Sequence, residues 1–342
     1  MNPYMAYHAL ATKISTKKGR ILGERDWDSY MNCSNIEQLA RLLMDNVEFK
    51  KAFKDVTDDK LSREDLETIL LRFKTLQIEN LLHYFSGSYK EFIKTFLMEA
   101  DIRDLSLILR KLTKNESLAG IEERFIHSED YTNLSYENLL SSGSVEQLTE
   151  KLKGTPYFNG LSNLSKEDAI KREFHIEMKL YVALYNTIFE KAEKLNKEDQ
   201  KAVKELVGFK IDLLNIQWIY RAKKYYEISP EEMFIYSLEG GLSLGYNRLK
   251  KLCYSNLDEF INLSKSYLKS DFFKDINDTD ISIVLNSYLL ENLKKNTSNN
   301  IGLVISFIYL LNIIIDDLMS IVEGIKYKVP KEKMKEYLIQ KI

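Results

Sequence analysis

Residues 34–49, SNIEQLARLLMDNVEF, return in altered form as residues 143–158, GSVEQLTEKLKGTPYF. In the first copy Ile36, Leu39 and Leu43 fall on one face of a helix, and Val145, Leu148 and Leu152 do the same in the second. Ser34 with Glu37, and Ser144 with Gln147, have the spacing of a capping box. There the hydroxyl and the longer side chain satisfy the orphan N–H groups of a helix's first turn. A fainter third copy, SNLDEFINLSKSYLKSDFF (255–273), offers Ser255 as cap and Asp258 at the glutamate position. Leu257 and Phe260 form its apolar face, and Phe272 and Phe273 are the trailing aromatics. From Ile36 to Val145 is 109 residues, and from Val145 to Leu257 is 112.

A second motif keeps the same order. DIRDLSLILRKL (101–112) aligns with DLLNIQWIYRAK (212–223), setting Asp101, Asp104, Ile108 and Arg110 against Asp212, Asn215, Ile219 and Arg221. IIIDDLMSIVEGIK continues the series with Ile314, Asp317, Ile321 and Glu323, so it keeps the apolar rhythm and loses the first acid and the arginine. From the first motif to the second is 65, 67 and 57 residues in the three copies. These intervals predict three helical units of about 110 residues, at 1–115, 116–226 and 227–342, far longer than solenoid repeats. Units of domain size point to a pseudo-threefold body. The expected boundaries are KNESLAG (114–120) and the 227–245 segment with Pro230, Gly240 and Gly241.

Composition agrees with an all-α fold. Only 4 prolines and 13 glycines occur in 342 residues, too few for the turns of an all-β protein. With 44% hydrophobic residues a large core can be buried. The 49 basic residues nearly match the 51 acidic ones, so the totals lack the basic excess of a nucleic-acid binder. Two local basic clusters stand out, Lys13, Lys17, Lys18, Arg20 and Arg25 near one end, and Lys326, Lys328, Lys331, Lys333, Lys335 and Lys341 near the other. Cys33 and Cys253 are far apart and form no metal-spaced pair, which suits a reducing cytosol. The opening MNPYMAYHALATKIS lacks the apolar core of a secretion signal. IGLVISFIYLLNIII (301–315) is 15 residues long, short of the roughly 20 that span a bilayer, and is expected to be a buried helix.

No catalytic constellation emerges. His8, His83, His127 and His175 are scattered, no HExxH helix is present, and His175 and Glu177 point to different helical faces. GGLSLGYNR (240–248) lacks the lysine of a phosphate-binding loop, so Gly240 and Gly241 read as a helix break or a close packing point. The Asp101/Asp104 and Asp212/Asn215 pairs share helical faces, but a carboxylate pair present in more than one unit suits a structural role better than catalysis. Neither a cofactor nor a metal is expected. Tyr4, Tyr7 and the Tyr225–Tyr226 pair have the amphipathic rings favoured at protein interfaces.

Taken together, YMAYHALATKISTKKGRIL (4–22), IEQLARLL, VEQLTEKLKGTPYF, DLLNIQWIYRAKKYY (212–226) and LEGGLSL (238–244) resemble the C subunit of archaeal and bacterial A/V-type ATPases, the counterpart of the eukaryotic d subunit. The strongest local match is Asp212, Asn215 and Arg221 followed by Gly240, Gly241 and Leu242. The resemblance covers nearly the whole chain. It implies a non-catalytic funnel of three similar helical domains on the cytoplasmic end of the membrane rotor ring, whose hollow accepts the foot of a central stalk made by subunits D and F. Tyr4, Tyr7, Lys13, Lys17, Arg20, Gly240 and Gly241 are the residues expected at such contacts. The rival expectation is a free-standing helical scaffold for another protein.

Overall fold

The structure, a computed structural model, describes residues 3–21, 24–54, 61–162, 173–226, 228–270, 273, 281–296 and 299–340; the side chains of residues 3–6, 24–25 and 173–175 are excepted. Among them no strand occurs, and the fold is all-α. In chain order the helices are α1 (Pro3–Ile21), α2 (Glu24–Met31), α3 (Ile36–Asp45), α4 (Arg63–Leu82), α5 (Gly87–Lys94) and α6 (Met98–Thr113). Then come α7 (Tyr136–Leu140), α8 (Val145–Lys151), α9 (Phe158–Leu161), α10 (Glu173–Ala192) and α11 (Lys197–Tyr225). The remainder are α12 (Pro230–Ile235), α13 (Tyr246–Tyr254), α14 (Leu257–Leu268), α15 (Ile281–Lys295), α16 (Ile301–Lys326) and α17 (Lys331–Glu336).

The repeated helix starts are capped one residue away from two of the expected positions. Asn35, not Ser34, accepts from the Gln38 N–H at the head of α3, while the Ser34 N–H donates to Gln38 Oε1. Ser144 caps α8 through the Gln147 N–H, as expected, and the Gly143 N–H donates to Gln147 Oε1. Asn256, not Ser255, caps α14 through the Glu259 N–H. The shift has a simple cause: the cap must stand immediately before the first helical residue. The three observed caps, 35, 144 and 256, are 109 and 112 residues apart, the same intervals as the apolar positions.

The 301–315 stretch continues as one helix through Asp316 and Asp317 to Lys326. α16 is long and apolar enough to cross a membrane, yet most of its side chains are buried in protein. It packs on α4 and α11 most extensively, and also on α1, α2, α3 and α15. Each fully enclosed Leu, Ile or Phe of α16 stabilises by about 1.5–3 kcal/mol relative to exposure. α10 gathers a second group, α5, α6 and α9, while α11 anchors α13, α14 and α15. One hydrophobic core runs through all three groups.

The LEGGLSL segment lies across α11. The Leu242 N–H donates to Gly208 O, and a Cβ on Gly208 would come within 3.0 Å of both Gly240 O and Leu242 N. Gly240 has φ +91° and its missing side chain leaves room for the Phe189 ring. A Cβ on Gly241 would stand 2.2 Å from Asp212 Oδ1. The expectation of a close packing point is met, and both glycines are required by it.

Candidate functional site: a polar lumen between the long helices

Two classes of buried polar group organise the molecule. The first holds loops to helices. Asp104 is fully enclosed on α6 and accepts from the Ile126 and His127 N–H groups and from the His127 ring at 2.8 Å. Asn215 on α11 accepts from the Leu238 N–H at 2.8 Å and donates to Leu238 O at 2.9 Å. Asp317 on α16 accepts from the Ile339 N–H at 2.6 Å and the Gln340 N–H at 3.1 Å. These positions align between the repeated motifs, and each grips the backbone 22 or 23 residues downstream.

The other motif position behaves similarly. Asp101 accepts from the hydroxyls of Thr132, Tyr136 and Tyr157, and Asp212 from the N–H groups of Ser243 and Leu244. Burial pushes the carboxyls of Asp101 and Asp212 up to about 6 and that of Asp317 up to about 7, despite these donors. Ile314, aligned with Asp101 and Asp212, is simply core, and Glu323 pairs with Arg63 of α4. Arg110 stands exposed near the end of α6, and Arg221 is half-buried near the end of α11. A basic side chain there complements the negative end of a helix dipole.

The second class lines a cavity. α4 runs antiparallel to α16: Arg63 meets Glu323 at one end, and the Lys74–Glu99 pair meets Asn312 farther along. α11 runs parallel to α16, with Asp199 on the Ile301 N–H and Leu206 against Gly302. Between these helices, α6, α10 and α15 opens a lumen of about 210 Å³. Lys74, Glu99, Lys210, Asn286, Asn312 and Asp316 supply its polar lining, and Tyr181, Tyr185 and Tyr309 its aromatic part.

Contacts within the lumen are sparse. Lys74 pairs with Glu99 at 2.9 Å. Lys210 donates to Asn286 Oδ1 at 3.3 Å, and Asn286 Nδ2 donates to Asp316 Oδ2 at 3.5 Å. Tyr309 Oη and Asn312 Oδ1 are enclosed and have no hydrogen-bond partner within the chain. Surrounding protein lowers the affinity of Lys210 for its proton and raises that of Asp316, although Asp316 remains open to the lumen. Among the described residues no cluster of His, Cys, Asp and Glu could hold a metal ion.

A third feature lies at one end. The carbonyls of Cys253 and Ser255 accept from Lys223 near the close of α11, and Met334 abuts Gly324 near the close of α16. Around these ends stand Tyr225, Tyr226, Tyr246, Tyr254, Tyr327 and Tyr337, each between 42% and 67% exposed. Lys224 and Lys326 lie over the rings of Tyr225 and Tyr327.

The residues expected at contacts separate. Tyr7 is enclosed, and its hydroxyl donates to Asp199, which also receives Tyr89 and Asn196. Lys17 turns inward to Glu48 and Gln77. Lys13 lies over the Tyr84 ring, and Arg20 is exposed beside Glu48. Gly240 and Gly241 serve the crossing over α11, and the Tyr4 side chain lies outside the described residues. The lumen carries no motif that sequence reading could detect: each helix contributes one to three of its polar and aromatic residues, from positions 74 to 316.

Residues 10–337 match the family model described as ATP synthase (C/AC39) subunit. The chain is 28% identical over 257 residues to the A-type ATP synthase C subunit of Methanosarcina mazei, covering 75% of this chain and 69% of that one. It is 23% identical over 344 residues to the A-type ATP synthase C subunit of Archaeoglobus fulgidus, covering 98% of this chain and 96% of the other. The buried acids, the glycine crossing and the three long helices are therefore features of one lineage: the chain belongs to the ATP synthase (C/AC39) subunit family, a non-catalytic subunit of a rotary ATP synthase.

Proposed function

We propose that this chain is the rotor adaptor of its complex. It sits at the cytoplasmic face, joins the membrane rotor ring to the central-stalk subunits D and F, and passes torque between them during ATP-coupled H⁺ or Na⁺ transport. In this reading the three units, with boundaries near 115 and 226, form a pseudo-threefold funnel whose hollow takes the foot of the stalk. The recurring grip of Asp104, Asn215 and Asp317 on a segment 22 or 23 residues downstream supports a common ancestry for the units.

The observation that carries the reading is the lumen. Six helices converge on it, and its charged groups are bonded far less completely than the buried acids at the loops. A site that binds nothing would be expected to fill with apolar side chains or to saturate its polar atoms, because unmet buried polar groups are costly. Close-packed helices around it are stiff, as torque transfer requires. The tyrosine rim suits a second protein contact. Imaging the purified complex with and without this chain tests the proposal. The expected result is density between ring and stalk that disappears with the chain, and density on the periphery of the complex would sink it.

A further inference from the structure

The lumen restricts the chemistry of what enters it; this inference rests on the socket reading and sharpens it. Its four ionisable groups of opposite sign cancel: Lys74 pairs with Glu99, and Lys210 and Asp316 are joined through Asn286. A guest with net charge would leave one of them uncompensated in a site largely closed to water. The uncommitted atoms lie on α16. Tyr309 and Asn312 are one turn apart on the same face and both line the cavity. Tyr309 is 1% exposed, and its hydroxyl has no partner. Asn312 directs Nδ2 to Glu99 at 3.4 Å, which leaves its enclosed Oδ1 to accept from elsewhere.

The complement is a group that accepts from Tyr309 Oη and donates to Asn312 Oδ1 without carrying charge. A carboxamide does both. We propose that the stalk foot places an Asn or Gln side chain against Tyr309 and Asn312. The cavity, about 210 Å³, is of the size of one or two side chains, so this contact would set the depth and rotational register of the foot.

A high-resolution map of the intact complex tests this, together with the affinity of the purified D–F pair for the free chain. The expected map shows a carboxamide of the stalk within hydrogen-bond distance of Tyr309 Oη and Asn312 Oδ1. Tyr309→Phe and Asn312→Leu are each expected to weaken D–F binding about tenfold, one lost hydrogen bond to a buried group, with the free chain's melting temperature little changed. Leu214→Trp, which fills the lumen, is expected to abolish binding. A charged or apolar stalk group in the lumen, or full affinity for Tyr309→Phe, overturns the carboxamide proposal and leaves the socket intact. Full affinity for Leu214→Trp, or a lumen holding no stalk residue, overturns the socket and the carboxamide proposal together.

Discussion

Asp104 and Asp316 are both acids in the middle of long helices, and they live differently. Asp104 is sealed and accepts from two backbone N–H groups and an imidazole, whereas Asp316 faces a lumen with one long contact to Asn286. The first binds its own chain to itself. The second is left available. The same contrast separates the whole set Asp101, Asp104, Asp212 and Asp317 from the set Lys74, Lys210, Asn312 and Asp316, and it predicts which substitutions unfold the protein and which only disconnect it.

The largest effect is expected at Asp104. Asp104→Ala leaves the Ile126 and His127 N–H groups without acceptors, and at about 1–3 kcal/mol for each stranded group the loss should be about 3 kcal/mol or more. Urea denaturation followed by circular dichroism measures it. A loss below about 1 kcal/mol would erase the distinction. Gly241→Ala comes next, since its methyl group meets Asp212 Oδ1 and must push the crossing segment off α11. A cost of about 1–3 kcal/mol is expected from such overpacking, read from the same titration.

Asp317 sharpens the comparison through pH. Its carboxyl is raised to about 7 by burial, so the folded chain holds this proton more tightly than the unfolded chain, where an aspartate titrates near 3.9. The contribution of this group is therefore fully present below about pH 4 and lost as pH rises toward 7. Asp101 and Asp212, raised to about 6, act with the same sign. Asp317→Asn imitates Asn215 and is expected to cost about 1 kcal/mol through imperfect partners while flattening the fall in melting temperature between pH 5 and 8. A steeper fall in the variant would show that the N–H donors outweigh burial. The smallest effect belongs to Asp316→Asn, expected within about 0.5 kcal/mol of the unaltered chain in the same denaturation assay.

What the sequence made legible follows from what repeats. The all-α class, the helix starts and the Asp–Asn–Asp series recur at fixed intervals, so local pattern and register found them, with the caps of α3 and α14 displaced by one residue. Asp317 aligns with Asp104 and Asn215 in the sequence, but its role depends on Ile339 and Gln340, which no periodicity marks. The lumen was not legible at all. Lys74, Glu99, Lys210 and Asn312 each look like an ordinary polar residue in its helix, and only packing among six helices brings them together. Tyr7 misled for the opposite reason. An amphipathic ring suits an interface or a buried carboxylate equally well, and Asp199, its partner, lies 192 residues away.

The packing of α1 to α4 on α16 carries a consequence for biosynthesis. α4 ends at residue 82 and α16 begins at 301, so the ribosome makes more than 200 residues between the early helices and the helix that covers them. At about 5–20 residues per second, that is roughly 10–40 s during which the apolar faces of the nascent chain's first helices lack their main cover. The newborn protein thus depends on a chaperone or on neighbouring nascent segments over that interval. Pulse-labelled ribosome-bound chains should become protease-resistant across residues 1–82 only after α16 has emerged from the exit tunnel.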